Sequence, residues 1–291
     1  MSGEWTAADT ATCLREPTAA DDKYSRGVVG LRTGSEQYPG AAVLGVEAAW
    51  RTGVGMVRYL GPTVATSLVW ARRPETVSAS GRVQSWVIGS GTDAATRTPE
   101  ESRALRDITS GTVPVVIDAG ALDLAVGASA PVVVTPHAGE HERLRALLGL
   151  SPVGERTDDA LDDAVRESAA SLGHVVLLKG ARTRVATPGG DLYAVVAPTS
   201  WLATAGSGDV LAGVIGAVLS GVVAGVEQRM DAASVARCAA AGAWLHGQAA
   251  ARASVARSSG PVTALDVAEE LPRVVAGVLA MRGDGARTAG P

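Results

Sequence analysis

Val115-Val116-Ile117-Asp118-Ala119-Gly120 is a run of three β-branched residues, without polar alternation, that passes into a loop of small and acidic residues. A continuous apolar run of this length fits a strand covered on both faces, the situation of a parallel sheet between helices. The unit occurs three more times. Trp86-Val87-Ile88 leads into Gly89-Ser90-Gly91, and Val132-Val133-Val134 into Thr135-Pro136-His137-Ala138-Gly139-Glu140; Val175-Val176-Leu177-Leu178 leads into Lys179-Gly180-Ala181-Arg182-Thr183. Helical patterns lie between them, around 98–109, 139–148 and 157–172. Ligands of such sheets bind beyond the carboxyl ends of the strands, so the four polar loops are expected to converge on one edge.

Outward from these units, Gly40–Thr52 reads as an Ala-rich helix stopped by Gly53, followed by a strand Met56–Leu60 and a Gly61-Pro62 break. Residues 184–196 read as a β-hairpin around Pro188-Gly189-Gly190-Asp191, and 232–253 as a long Ala-rich helix. The fold class is α/β, a central, mostly parallel sheet flanked by helices. One domain is expected over 23–281, after an N-terminal leader, 1–22, and before a Gly-rich tail, 282–291, that reads as disordered.

The chain has 291 residues, 46% hydrophobic and 19% charged, with 35 Gly, 14 Pro, no Phe and a net charge of −4. That is enough to bury a large core, and it gives no reason to expect nucleic acid or an acidic membrane as a partner. Cys13 and Cys238 match no metal or redox spacing and read as free thiols in a reducing compartment. The first residues carry no basic segment followed by an apolar one. The apolar stretch nearest to membrane-spanning length, 210–226, is rich in glycine and small residues and suits a buried helix. The expectation is a cytoplasmic, soluble protein.

The chemistry points to Thr204-Ala205-Gly206-Ser207-Gly208-Asp209-Val210-Leu211-Ala212-Gly213. Glycines ahead of an apolar helix leave backbone N–H groups bare at the positive end of its dipole, a seat for phosphate. Asp209 beside that seat is placed to take a proton from an attacking hydroxyl. A plain helix cap would need one polar side chain and no flanking glycines.

Lys179 ends a buried strand. Gly180 permits close backbone approach, and Lys179, Arg182 and Thr183 offer donors to a nucleotide phosphate or ribose. His137 stands at a strand's carboxyl end with Glu140 three residues on, which leaves both a structural and a ligand-contacting role open. Pro136 reads as the first residue of the helix there. Glu140 is a candidate for Mg²⁺ held indirectly, through water. Gly89–Ala94 matches a dinucleotide fingerprint in form, but Thr98-Pro99-Glu100 starts the next helix several residues later, so the loop reads as the lining of a pocket. Asp158, Asp159, Asp162 and Asp163 read as a solvated helix face. His246 reads as structural, with Gly247 letting another helix close.

In this order, Pro39-Gly40-Ala41-Ala42, Gly89-Ser90-Gly91, Asp118-Ala119-Gly120-Ala121-Leu122, Thr135–Glu140, Lys179-Gly180 and Gly206–Gly213 resemble the ADP-dependent (S)-NAD(P)H-hydrate dehydratases of the ribokinase-like superfamily, over about Lys23–Arg273. The resemblance implies a three-layer sandwich with a small β-hairpin near the nucleotide site. It also implies a hydro-lyase that repairs hydrated NADH or NADPH, its S epimer, by phosphorylating the ring hydroxyl and eliminating phosphate, with ADP or ATP and Mg²⁺ as cofactors. Asp209 would then be the base, with Gly206, Ser207 and Gly208 stabilising the moving phosphoryl group. Lys179, Gly180, Ala181, Arg182, Thr183 and Gly208 would bind the nucleotide; Ala41, Gly91, His137 and Asp209 would meet the substrate. A homo-oligomer, tetrameric as family members commonly are, is implied as well, with the helices near 40–50 and 232–250 as candidate interfaces. Many relatives carry an N-terminal epimerase domain; only a short leader stands before Lys23, so that activity is expected to be absent.

Three departures mark this chain. Gly30-Leu31-Arg32-Thr33-Gly34-Ser35, read as a loop after the first strand, lacks the usual Gly-Gly-Ser. Gly-Ser-Gly at 89–91 replaces Gly-Pro-Gly, and Pro198–Leu202 replaces Thr-Gly-Asn. The rival readings are a small-molecule kinase of the same superfamily, acting on a hydroxyethylthiazole or pyridoxine-type alcohol, and a nucleotide-binding protein without catalysis.

Overall fold

The computed structural model describes residues 2–225 and 229–287. In chain order the elements are β1 Ser2–Glu4, α1 Ala7–Ala11, β2 Val28–Arg32, α2 Pro39–Thr52, β3 Met56–Tyr59, α3 Thr63–Arg72, β4 Ser85–Ile88, α4 Pro99–Thr109 and β5 Val115–Ile117. There follow β6 Val132–Val134, α5 Ala138–Leu147, α6 Asp158–Leu172, β7 Val175–Leu178, β8 Arg182–Ala186, β9 Leu192–Val196, α7 Ser207–Ala224, α8 Ala232–Val255 and α9 Ala264–Arg287. A 3₁₀ segment covers Ala119–Ala125.

The strands form one sheet in the order β1-β9-β8-β7-β6-β5-β4-β2-β3. Only β8 runs against the rest, pairing antiparallel with β7 and β9; every other pairing is parallel. The apolar runs behave as their lack of alternation requires. In β5, Val116 joins a core with α2, α7, α8 and α9, while Val115 and Ile117 join a second core with α4, α5, α6 and the 3₁₀ segment. Fully burying each such side chain contributes roughly 1.5–3 kcal/mol, so neither face can be left to solvent. The result is three layers, helix–sheet–helix.

α7 is apolar and long enough to cross a membrane by length and composition, but two thirds of it (67%) is buried inside the fold against α2, α8 and the sheet. Its apolar circumference is explained by those neighbours on several sides. The small-residue faces of α2 and α8, expected as subunit interfaces, are spent within the chain: α2 packs on α7 and α9, and α8 on α7 and α9.

Several details differ from the sequence reading. The first residues are not a loose leader: β1 adds a parallel strand to β9, with Gly3 opposite Tyr193. Trp5 packs edge-on against Tyr193 with ring centres 5.1 Å apart, and α1 lies on α8 and α9. Gly30 lies inside β2 rather than in the loop after it. The tail read as disordered from residue 282 starts inside the span of α9, whose backbone continues to Arg287; residues 288–291 lie outside the described residues.

Candidate active site

Because β4, β5, β6 and β7 point the same way, their carboxyl ends bring Ser90, Asp118, Thr135 and Lys179 together. Asp118 is the hub. Its Oδ2 accepts from Ser90 Oγ at 2.9 Å, and its Oδ1 accepts from Thr135 Oγ1 and from Lys179 Nζ, each at 2.8 Å. A buried carboxylate is tolerated only when its lone pairs are satisfied and its charge is matched; here two hydroxyls and an ammonium meet both conditions. Lys179 is also 3.7 Å from Glu140 Oε2. Burial pulls its pKa down, yet Asp118, Glu140 and Asp209 together outweigh burial and raise it, so the ammonium stays charged.

α7 starts where that ammonium points. Gly206 precedes it in the left-handed region, at φ 84°, and a side chain there would overlap Leu44 and Ala264. No side chain caps the helix; the Ser207 amide donates to the Thr204 carbonyl at 3.3 Å, which leaves those of Gly208 and Asp209 for a ligand. A Cβ built on Gly208 would stand 3.4 Å from Lys179 Nζ, which places the ammonium over the helix start. Asp209 lies in the first turn, and its carboxyl is pushed up to about 7, first by burial and next by the Asp118 carboxylate, with Lys179 pulling the other way. A carboxyl near neutrality beside a phosphate-sized positive seat is what a general base at physiological pH requires.

A cavity of about 560 Å³ opens beside this helix start, lined by His137, Lys179, Gly180, Thr183, Gly208 and His246, among others. On its rim, His137 caps α5: Nδ1 accepts from the Gly139 amide at 3.0 Å, while Glu140 Oε2 accepts from the His137 amide at 2.7 Å. With Nδ1 accepting, the ring proton of the neutral form sits on Nε2. The helix starts at Ala138, so Pro136 lies ahead of the cap rather than at the first helical position. Gly91 (φ 67°) sits against Ala41, Tyr38 and Gly34, and α4 opens only at Pro99; the Gly89–Ala94 loop, read as the lining of a pocket, contributes no residue to the lining of this cavity.

Not every expected residue faces the cavity. Ala181 and Thr183 line it, but Arg182 reaches toward Asp162 on α6, 4.0 Å away. The acidic face of α6 is not simply solvated: Asp162 and Asp158 both pair with the buried Arg184 guanidinium. His246, read as structural, lines the cavity and lies 3.2 Å from Ser207 Oγ; burial lowers its pKa to about 4, so it is neutral. What comes close at Gly247 is the chain at Ala197-Pro198, not a helix. Asp118, Ser90 and Thr135 were missed as site residues although each follows one of the four apolar runs, the signal that marked Lys179.

A family model described as NAD(P)H-hydrate dehydratase matches residues 29–273. A bifunctional NAD(P)H-hydrate repair enzyme of Mycobacterium tuberculosis is 45% identical over 228 residues, 74% of this chain and 45% of that protein; the chain thus spans about half the length of such curated relatives. The ADP-dependent (S)-NAD(P)H-hydrate dehydratase of Neisseria meningitidis is 31% identical over 311 residues, covering 96% of this chain and 92% of that one. The crystal structure of the ADP/ATP-dependent NAD(P)H-hydrate dehydratase from Bacillus subtilis, co-crystallised with ATP and Mg²⁺, superposes with a TM-score of 0.78 at 26% identity, over 94% of this chain and 98% of that one. The fold is the ribokinase-like sandwich. The match to the family model takes in every loop gathered at the sheet edge, from Gly34 to Asp209, and on that extent this chain belongs to the NAD(P)H-hydrate dehydratase family.

Proposed function

We propose that this chain dehydrates the S epimer of hydrated NADH or NADPH, using ADP or ATP, and so restores the reduced nicotinamide. The observation that carries the reading is Asp209, a carboxyl held near neutrality in the first turn of an uncapped helix with Lys179 over that turn. Lys179, Gly180, Ala181, Thr183 and Gly208 hold the nucleotide phosphates and ribose along the cavity; Arg182, engaged toward Asp162, supports that wall from behind. Ala41, Gly91 and His137 meet the hydrated dinucleotide.

Asp209 accepts the proton of the ring hydroxyl as its oxygen attacks the terminal phosphorus of the nucleotide, and the bond from that phosphorus to the bridging oxygen breaks, releasing AMP from ADP or ADP from ATP. The backbone amide of Gly208 at the helix start and the Lys179 ammonium stabilise the charge on the transferring group, with Gly206 and Ser207 shaping the turn that presents them. Phosphate then leaves with the electron pair of the C–O bond, the adjacent ring carbon gives up a proton to water, and the electron pair of that C–H bond becomes the ring double bond; phosphate departs far more readily than hydroxide.

The donor set fits Mg²⁺ only in a hydrated form. Among the described residues no three His, Cys, Asp or Glu side chains form a metal cage, and both Asp118 oxygens are taken. Glu140 Oε1, whose one near neighbour is His137 Nε2 at 3.5 Å, is free to hold a metal-bound water. When bound there, Mg²⁺ supplies charge neutralisation to the nucleotide phosphates.

The reading carries with it a cytoplasmic homo-oligomer, a tetramer. The unpaired cysteines support the first part, and Val64, Leu68 and Trp70, exposed on α3, support the second; sedimentation velocity tests it. The activity is tested by incubating purified S hydrate with ADP or ATP and following the reduced-nicotinamide absorbance. Its recovery is expected. A phosphoester accumulating from a hydroxyethylthiazole or pyridoxine-type alcohol, without nicotinamide recovery, would overturn the reading.

A further inference from the structure

Cys13 and Cys238 are 225 positions apart in the sequence, yet the fold sets them in one core, near enough for each thiol to act on the other's titration. An anchor lies beside them: Arg237 Nη2 donates to Thr12 Oγ1 at 2.8 Å, seating the turn after α1 on the α8 turn that carries Cys238. Both thiols belong to the same core, neither forms a disulfide, and the two differ sharply in access. Cys238 is sealed, whereas Cys13 lines a separate cavity of about 300 Å³ between the N-terminal segment and the far end of α7, with Arg15, Arg26 and Gly53 on its walls. This cavity shares no lining residue with the one beside Asp209.

We propose that Cys13 and Cys238 are a built redox-modification site, in which Cys13 reacts with a hydroperoxide entering this cavity and Cys238 resolves the product to an intrachain disulfide. The Cys13 thiolate attacks the terminal peroxide oxygen. The O–O bond breaks, a Cys13 sulfenic acid forms, and the peroxide is reduced to an alcohol, or to water in the case of hydrogen peroxide, taking up a proton. The Cys238 sulfur then attacks the Cys13 sulfur; the S–O bond breaks, and hydroxide leaves and takes the Cys238 proton as water. Two thiols have lost two electrons and two protons, and the peroxide has gained them.

The surroundings assign the order of attack. The groups around Cys13 are Thr12 on its own segment, Arg237 and Cys238 on α8, Tyr193 on β9, and, among charged groups in reach, Asp9 on α1 and the cavity arginines Arg15 and Arg26. The neighbouring Cys238 thiol lowers the Cys13 pKa most; burial opposes it, and Thr12 and Arg237 add to the lowering, for a value of about 7. Cys238 is pushed up, first by the Cys13 thiol and then by burial. The thiolate is the nucleophile in such chemistry, so Cys13 attacks first.

The test treats the full chain with a stoichiometric amount of hydrogen peroxide, then denatures it, alkylates free thiols and measures intact and peptide masses. The expected result is loss of two hydrogens and recovery of the Cys13 and Cys238 peptides cross-linked within one chain. In Cys238→Ser, dimedone is expected to label Cys13; in Cys13→Ser, Cys238 stays reduced and unlabelled. Because either variant could be destabilised, the wild type carries an independent readout: native alkylation of Cys13 rising with pH through about 7, and faster than that of Cys238. Full alkylation of both thiols after peroxide, dimedone on Cys238 in place of Cys13, or cross-links between chains only would overturn the proposal.

Discussion

Lys179 Nζ donates to Asp118 Oδ1 across 2.8 Å, tying the end of β7 to the end of β5 in front of the first turn of α7. The pair fixes the electrostatics of Asp209 from both directions, since Asp118 raises its pKa and Lys179 lowers it. Removing either partner therefore alters the proposed base as well as the proposed seat for phosphate.

Asp209→Asn is expected to lower turnover at least about 100-fold, the scale of lost general-base catalysis, while nucleotide affinity changes by less than about threefold by calorimetry. In the wild type, kcat/KM for the hydrate should rise with pH through about 7, as the carboxyl loses its proton. Turnover in Asp209→Asn equal to that of the wild type would remove the assignment.

The same carboxyl sets a stability trend. Its folded-state value lies above the ordinary 3.8, so its contribution to stability is complete below that value and is lost as pH rises through about 7, because the fold then holds a desolvated charge. Asp209→Asn should therefore raise Tm more at about pH 8 than at about pH 5, a gain of order 2 kcal/mol.

Lys179→Met is expected to weaken nucleotide binding about 10- to 100-fold, the loss of one charge-assisted contact. It should also move the pH midpoint of kcat/KM upward, because the cation that lowers the Asp209 pKa has gone. A weaker Kd with an unmoved midpoint would show that the ammonium does not act on Asp209.

Gly91→Ala places a methyl group onto the Ala41 Cβ and 2.9 Å from the Tyr38 carbonyl, at φ 67°. Strain and overlap of this kind cost about 1–3 kcal/mol, and thermal melting should show a matching fall in Tm. Adding Ala41→Gly should recover part of the loss but not all, because the Tyr38 contact and the backbone strain persist.

Glu47 is fully buried under Arg51, Arg72 and Arg73. Burial pushes its pKa up, but the three guanidiniums together bring it below the ordinary 4.5. Its contribution is therefore present above that value and lost as pH falls. Glu47→Gln should cost about 3–5 kcal/mol near neutral pH, measured by denaturant unfolding, and the cost should shrink in acid.

The sheet was legible because β5, β6 and β7 are apolar at every position, and β4 from Trp86 on, a pattern that neither a half-exposed strand nor a loop can carry. Asp209 was legible because glycines and an acid at a helix start make little sense as a cap. The remainder depended on partners distant in sequence. Nothing in Ser2–Glu4 announces a strand, since its pairing is supplied entirely by β9. Asp118 passed for a turn residue because its role is defined by Ser90, Thr135 and Lys179, which follow three other strands. Asp158 and Asp162 looked solvated because helical periodicity says which face they share, but not that Arg184 comes up to meet it.

β1 occupies the outer rim of the sheet beside β9, and the Trp5 amide continues the ladder by donating to the Ala194 carbonyl at 2.8 Å. A strand without a neighbour is a template for whatever extended peptide it meets. A truncated variant beginning at Lys23 would bare that template along Leu192–Val196, and self-association into aggregates would follow. With three residues, β1 leaves a shorter open rim than the five-residue β9 that it covers.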